Sequence, residues 1–389
     1  MNKKEIKKKF TYQVLSIELE PTHYKADLWN TVVNSGLVQV FAIYTQAKNW
    51  SPDGGHNYLK FPVSKYKFKV LNGRGILDSF RAGLFVMRNI IFRKVDVIFI
   101  CGYTQIPALS ALFACIFLRK NFFLFSDEFN NNKPTGRFSS LKLVPREILR
   151  KLCFKFASAV LVCGKKGIDS ALKAGCDAEK IYDFPYVVDV TRIKADEPED
   201  IPQECLIDVG NALPVIFFSG RMIERKGLPS LLDALATIDA SKNWVLWIEG
   251  AGPELERYIA MVHNYGISTR CRFLGFCQYD LHSWLIRTAD IVIVPSIEDN
   301  WGIVVDEGLQ LGKVVISSDA TGSGRDRIVH GSNGYIFSAG DSLALADIIK
   351  QVLCLNVATL SVGHEAQGCS RNVRPADNFA TLIRIMQRL

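Results

Sequence analysis

An arginine and a lysine five residues apart, Arg221 and Lys226, stand in the run FFSGRMIERKGLP, after an apolar stretch and before a helical one. A strand that ends in such a turn aims two cations and the amides of a helix start at one point. Gly220 and Gly227 permit close backbone there, and the result is a site for an anion such as a diphosphate. Alone, the same run is equally a solvated basic turn. A second run, IEDNWGIVVDEG, follows the apolar stretch DIVIVPS and puts Glu298 and Asp299 at one end of a short loop and Glu307 at the other. Carboxylates accept hydrogen bonds from pairs of sugar hydroxyls, while the backbone from Trp301 through Gly302 and Ile303 to Val304 can meet anionic oxygens at a helix start. Cations after one strand and carboxylates after another describe a ligand with phosphate, ribose and hexose.

The elements that must hold these groups read as a repeated α/β alternation. The second half runs PVIFFSG, a helix from about Pro229 to Ile238, WVLWIEG, a helix from about Pro253 to Tyr265, RCRFLGF, a helix from Tyr279, DIVIVPS, a helix from about Val304, VVISSD, and a helix from Ser342. The first half offers YQVLSIEL, LVQVFAIY, VDVIFIC, FFLFSDE and AVLVCG, with helical stretches between several of them. Alternation of this kind implies parallel strands covered on both faces. KYKFKV, residues 65–70, alternates cation and apolar residue and predicts a strand with one wet face. The segment 182–204 turns acidic and Pro-containing, which marks a boundary. The expectation is two Rossmann-like doubly wound domains, 1–188 and 189–365, facing each other across a cleft. A tail, 366–389, could pack back on the first. Ligands then sit at the C-terminal strand ends.

FFSGRMIERKGLPSLLDAL, WIEGAGPELERY, RFLGF, ADIVIVPSIEDNWGIVVDEGLQLGKVVISSD and IVHGSNGYIF also resemble, in order and spacing, the C-terminal half of the retaining glycosyltransferases of family 4, the group 1 transferases of GT-B fold. The resemblance spans roughly 215–353 and rests on five blocks jointly. It implies that Arg221 and Lys226 are the phosphate-binding pair and that Glu307 is the second acid of an E-x7-E signature, bonding the nucleotide ribose. Asp299 takes the place of the first acid, facing the donor sugar. The family usually has Glu there, and Glu298 next door leaves the register open by one. Gly302, Ile303 and Val304 match the loop at the donor's sugar and diphosphate, and Phe276 lies where the base approaches. The resemblance further implies a nucleotide-sugar co-substrate, no metal, retained anomeric configuration, and a leaving diphosphate that itself deprotonates the incoming hydroxyl.

The first half resembles that family less. In place of a Gly-rich turn after the first strand it has SIELEPTHYKADLW, so Pro21, His23, Tyr24 and Lys25 are acceptor-side candidates or an ordinary polar loop. No His stands between His56 and His263 to match the one that many members place near the reacting carbon. Tyr103, Thr104 and Gln105, and Asp127 with Glu128, end the corresponding strands instead; acids there are site candidates, or caps of the next segment.

Charge bears on the partner. Residues 1–190 carry 29 Lys and Arg against 15 Asp and Glu, a net +14, and residues 191–389 carry 18 against 24, a net −6. The run Lys3 to Lys9 reads as a solvated arm. Pro145 to Phe156 gathers Ile148, Leu149, Leu152 and Phe156 near one helical face, with Arg146, Arg150, Lys151 and Lys155 at its borders and back, suiting either an interfacial or a core helix. Peripheral docking on an anionic inner leaflet and a lipid-linked saccharide acceptor fit both basicity and family. The uncharged stretch 97–118 breaks at Gly102, Gln105 and Pro107, and so predicts strand, loop and helix rather than a span. Ten scattered cysteines without a C-x-x-C pair argue against zinc and for a reducing, cytoplasmic setting.

Three rivals remain open. A nucleic-acid-binding protein would use the positive half but leaves the acidic loop without a purpose. A phosphorylase or epimerase of similar fold differs in the reaction rather than the scaffold. A nicotinamide oxidoreductase lacks any strand followed by G-x-G-x-x-G.

Overall fold

The computed structural model describes residues 11–45, 64–71, 75–129, 146–195, 198–239, 243–354 and 374–389. The chain divides into two compact units, the first holding 1–50, 61–187 and 373–389, the second 51–60 and 188–372.

The first unit is built on β1 (Tyr12–Glu18), β2 (Val38–Tyr44), β3 (Lys67–Val70), β4 (Val97–Cys101), β5 (Phe122–Ser126), β6 (Ala159–Val162) and β7 (Ile181–Asp183), in the order β3-β2-β1-β4-β5-β6-β7 and parallel throughout. The central strands are buried on both faces, as near-continuous apolar runs such as VIFIC and FFLFS require. β3 departs from the expected one-sided strand: as the sheet's edge it leaves Lys67, Phe68 and Lys69 all exposed, a charged edge that discourages pairing. The helices are α1 (His23–Asn34), α2 (Ile76–Phe92), α3 (Ile106–Phe117), α4 (Arg146–Phe156) and α5 (Gly164–Lys173). Stretch 97–118 resolves into β4, a turn and α3, and no helix among the described residues is long and apolar enough to cross a membrane.

The second unit begins with α6 (Val190–Ala195), inside the stretch 182–204 read from sequence as a boundary, and α7 (Gln203–Gly210), which starts at its end. Its sheet joins β8 (Val215–Ser219), β9 (Val245–Glu249), β10 (Cys271–Gly275), β11 (Ile291–Val294), β12 (Val314–Ser318) and β13 (Tyr335–Phe337) in the order β10-β9-β8-β11-β12-β13, again parallel. Helices α8 (Leu228–Ala236), α9 (Leu255–Asn264), α10 (Tyr279–Thr288), α11 (Ile303–Gln310), α12 (Gly322–Arg327) and α13 (Ser342–Cys354) complete it. The strand order reverses between β8 and β11, so the connections after these two neighbours leave in opposite directions, the place where open α/β sheets bind ligands at their carboxyl ends. The last helix, α14 (Pro375–Met386), packs on α1 in the first unit, where Asn378 Nδ2 donates to the Pro185 carbonyl at 2.7 Å.

Two readings of local structure are corrected. Residues 23–25, expected as loop, form the first turn of α1, because Ala26, Leu28, Trp29 and Val32 supply a helical apolar face that the sheet buries. In α4 the buried side is Leu149, Arg150, Cys153 and Phe154, while Ile148 and Phe156 point outward, 53% and 43% exposed. Of the four apolar residues grouped by spacing only Leu149 is buried, so the core face is the one that runs through Leu149 and Cys153. Arg150, placed at the border of that group, is inside. Lys3 to Lys9 and Pro145 lie outside the described residues.

Candidate functional site

The basic run after PVIFFSG and the acidic run after DIVIVPS follow β8 and β11, the pair at the reversal of the second sheet. After β8, Gly220 and Arg221 lead into a single 3-10 turn, Glu224–Lys226, and Gly227 starts α8 in the left-handed region at φ 71°. A Cβ on Gly227 would stand 1.9 Å from the Pro295 carbonyl oxygen, so only glycine lets this turn close on the end of β11. Gly227→Ala is therefore expected to cost about 2 kcal/mol and to pull Lys226 out of place; an unchanged melting temperature would contradict this packing.

That close approach brings Lys226 to the second run. Its Nζ lies 2.5 Å from Asp299 Oδ2, while Arg225 Nη1 donates to the Glu298 carbonyl at 3.1 Å and stands 4.0 Å from Asp299 Oδ1. Asp299 is buried and Glu298 half-buried, so of the two neighbouring acids it is Asp299 whose carboxylate meets the lysine. Arg221 and Phe276 are both half-buried, at the C-terminal ends of β8 and β10.

Gly302 precedes α11 at φ 80°, where a Cβ would meet Thr321 Cγ2 at 2.4 Å, and it offers the helix no side-chain cap. Ile303 and Val304 turn their side chains onto the core. Trp301, expected at the ligand, is buried instead. Its indole Nε1 donates to Asp306 Oδ2 at 2.7 Å, and Arg327 reaches Asp306 Oδ1 at 3.3 Å from Nε and lies 5.1 Å from the Trp301 ring. Burial pushes Asp306 up to about 6, against the pull of Arg327.

Glu307 is the centre of a network that sequence reasoning missed. His282 on α10 bridges two buried carboxylates, with Nδ1 2.6 Å from Glu249 Oε2 and Nε2 3.1 Å from Glu307 Oε2. Tyr279, one turn earlier, donates its hydroxyl to Glu307 Oε1 at 2.8 Å, and Arg192 caps the Tyr279 ring at 4.1 Å. Burial alone would strip the His282 proton; the charges of Glu249 and then Glu307 outweigh it and hold the ring protonated well above the ordinary imidazole range. Burial would likewise raise Glu307, but the His282 charge holds it below the carboxylate norm. The available signal is Glu249 itself, an acid closing the apolar strand VLWIE.

The first-unit candidates lie near that unit's own C-terminal strand ends, and several of them are engaged by neighbouring side chains. Asp127 Oδ1 accepts from the Tyr186 hydroxyl at 2.5 Å, and Tyr186 stacks obliquely on Tyr24 at 4.4 Å. Lys25 is buried, 3.1 Å from Cys101 Sγ and 4.3 Å from the Phe125 ring centre. Tyr103 stacks on Phe129 at 5.7 Å against the core, Gln105 stands at the start of α3, His23 opens α1, and Glu128 pairs with Lys166 at 3.1 Å.

Comparison with known proteins adds to this geometry. Residues 209–364 match the model of the family described as glycosyl transferases group 1. The lipopolysaccharide core biosynthesis glycosyltransferase LpsE of Rhizobium meliloti (strain 1021) is 30% identical over 185 residues, 46% of this chain and 48% of that protein. The chain thus spans about half the length of this curated relative, and less of others. The crystal structure of Anabaena HepE in complex with UDP superposes with a TM-score of 0.72 at 18% identity, over 97% of this chain and 100% of that one. The apo lipopolysaccharide outer core galactosyltransferase WaaB does so with 0.67, at 18% identity over 97% and 100%. The fold is α/β, of the GT-B type seen in those glycosyltransferase structures.

Proposed function

We propose that this protein is a glycosyltransferase that takes a sugar from a nucleotide-sugar donor and passes it, with retention of anomeric configuration, to a lipid-linked saccharide acceptor in the assembly of a surface polysaccharide. The observation that carries the reading is the convergence of Lys226, Asp299 and the uncapped start of α11 at the strand reversal of the one unit that matches the group 1 family. Arg221 and Lys226 would take the charge that develops on the leaving diphosphate, a task that then needs no metal. Asp299 would receive sugar hydroxyls once Lys226 turns to phosphate, and Glu307 the ribose. The departing phosphate oxygen, on the face the acceptor enters, would remove the acceptor's proton. HepE is seen with UDP and with UDP-glucose, and LpsE is named for lipopolysaccharide core biosynthesis, which supports the donor and acceptor classes proposed. Calorimetry against UDP, GDP, ADP and CMP sugars tests the donor site, with one expected to bind. Binding of none would sink the reading, and conversion of a bound sugar without any acceptor would turn it toward an epimerase.

The acceptor's membrane setting draws support from a surface other than the one that sequence spacing indicated. Helix α2 buries Ala82, Val86 and Ile90 on one side and turns Leu77, Phe80, Leu84 and Ile91 outward, 71%, 49%, 66% and 49% exposed. These four recur at helical spacing as one stripe. Arg81, Arg88, Arg93 and Lys94 are exposed beside it, and α3, packed against α2, adds Phe117 at 87%. An apolar stripe edged by cations suits insertion into an anionic leaflet. Exchanging Phe80 and Leu84 for glutamate is expected to weaken sedimentation with phosphatidylglycerol vesicles at least tenfold; unchanged sedimentation would remove this face from consideration.

A further inference from the structure

In the second unit, β9 ends on Glu249, α10 contributes His282 and α11 contributes Glu307, and the three side chains form one buried line. Each ring nitrogen of His282 faces a different carboxylate within hydrogen-bond distance. A neutral imidazole has one N–H and would turn a lone pair on one of the two acids; two donors at once require the imidazolium. Glu307 is thereby held at both oxygens, Oε2 by His282 and Oε1 by Tyr279, and each oxygen keeps a lone pair for a ligand hydroxyl.

We infer that His282, kept charged by Glu249, is a positioning residue for the nucleotide: it fixes the carboxylate of Glu307, and the donor is held at full affinity only while that ring carries both protons. The inference rests on the proposed role of Glu307 at the donor. It extends that role to a part of the second unit, the end of β9 and the face of α10, which would not itself touch the ligand.

The groups around the ring are Glu249 from β9, Glu307 from α11, Tyr279 from its own helix and the apolar Phe217 from β8; Cys277, near Glu249, gives its thiol to the Leu274 and Gly275 carbonyls and is kept protonated by burial. Arg192 on α6 approaches through Tyr279 and favours the ionised form of Glu307. Glu249 is thus one of two anions bearing directly on His282, and the one that can be neutralised without altering the proposed ligand contact.

Glu249→Gln tests this, since glutamine keeps an acceptor for Nδ1 and removes the charge. Calorimetric titration with UDP, GDP, ADP and CMP from pH 6 to pH 9 is expected to show nearly constant affinity for the preferred nucleotide in the wild-type protein. The Glu249→Gln protein should bind comparably at pH 6 and about tenfold more weakly by pH 9, as its less basic ring loses a proton. His282→Gln should bind weakly across the range. Ring nitrogen NMR of the wild-type protein at pH 8 should show both nitrogens of His282 protonated. A neutral ring at pH 8 overturns the inference. So does a Glu249→Gln profile parallel to that of the wild type, which a purely structural role would give. If the wild-type protein itself binds none of the nucleotides, the donor-site reading fails and the positioning role with it, an outcome distinct from a silent variant beside a binding parent.

Discussion

Lys226→Ala is expected to lower kcat by about 10²- to 10³-fold, the effect of removing one preorganised donor from a developing anion, while the protein remains folded. Two energies compete here. The loss at the leaving phosphate is about 3 to 4 kcal/mol, because the lysine is a preorganised cation whose position is set by the closed turn at Gly227. The loss of stability is smaller, about 1 to 2 kcal/mol, since the Lys226–Asp299 pair is partly solvated, with 20% and 12% of the side chains exposed, and Ser296 Oγ stays 3.5 Å from Asp299 Oδ2. The measurement is single-turnover transfer beside a thermal melt of the same preparation. Near-normal turnover by a folded Lys226→Ala protein would end the assignment of this turn to the donor phosphates.

Asp306→Asn, on α11, should change how stability depends on pH. The wild-type carboxyl is buried and its pKa is pushed from 3.8 up to about 6. An acid raised in the folded state holds its proton more tightly there than in the unfolded chain. Native stability therefore falls as pH rises between those two values and is level above them. At about 1.4 kcal/mol per unit, that window is worth roughly 3 kcal/mol. Asparagine does not titrate, and its amide can still accept from Trp301 or Arg327. The difference between variant and wild type should thus move by roughly 3 kcal/mol in favour of the variant between about pH 3.5 and pH 7. Urea unfolding across that range reads it directly. Parallel curves would show that Asp306 titrates as an ordinary surface acid and that the Trp301 knot is not as dry as its packing indicates.

The two α/β series and the run of strand ends carrying Arg221, Lys226, Asp299 and Glu307 are legible in the sequence because each depends on local patterning. Apolar runs of strand length, helical periodicity and a glycine at a turn are all near-neighbour signals. The α4 helix shows where such patterning stops. Its apolar spacing was real, yet the sheet buries Leu149, Cys153 and Phe154 and draws Arg150 inside with them, leaving Ile148 and Phe156 outward. Periodicity says that a helix has a face; the neighbours decide which face is covered. The same holds for α2, apolar on both sides, whose outward stripe is indistinguishable from its inward one until α3 and the sheet are in place.

Trp301 and His282 make the point at the site itself. Adjacent to Gly302 in the chain, Trp301 reads as a ligand contact, but Asp306 and Arg327 turn it into the core, because a buried indole N–H needs an acceptor and finds one a turn away. His282 carries no motif. Its meaning comes from two acids 33 and 25 residues distant, which only parallel strand order and helix packing bring to its two nitrogens. The sequence by itself therefore determined the two α/β series and which residue types end which strands. Tertiary structure alone decided which of those residues meet, since hydrogen bonds and burial act over a few ångströms in space and do not depend on separation along the chain.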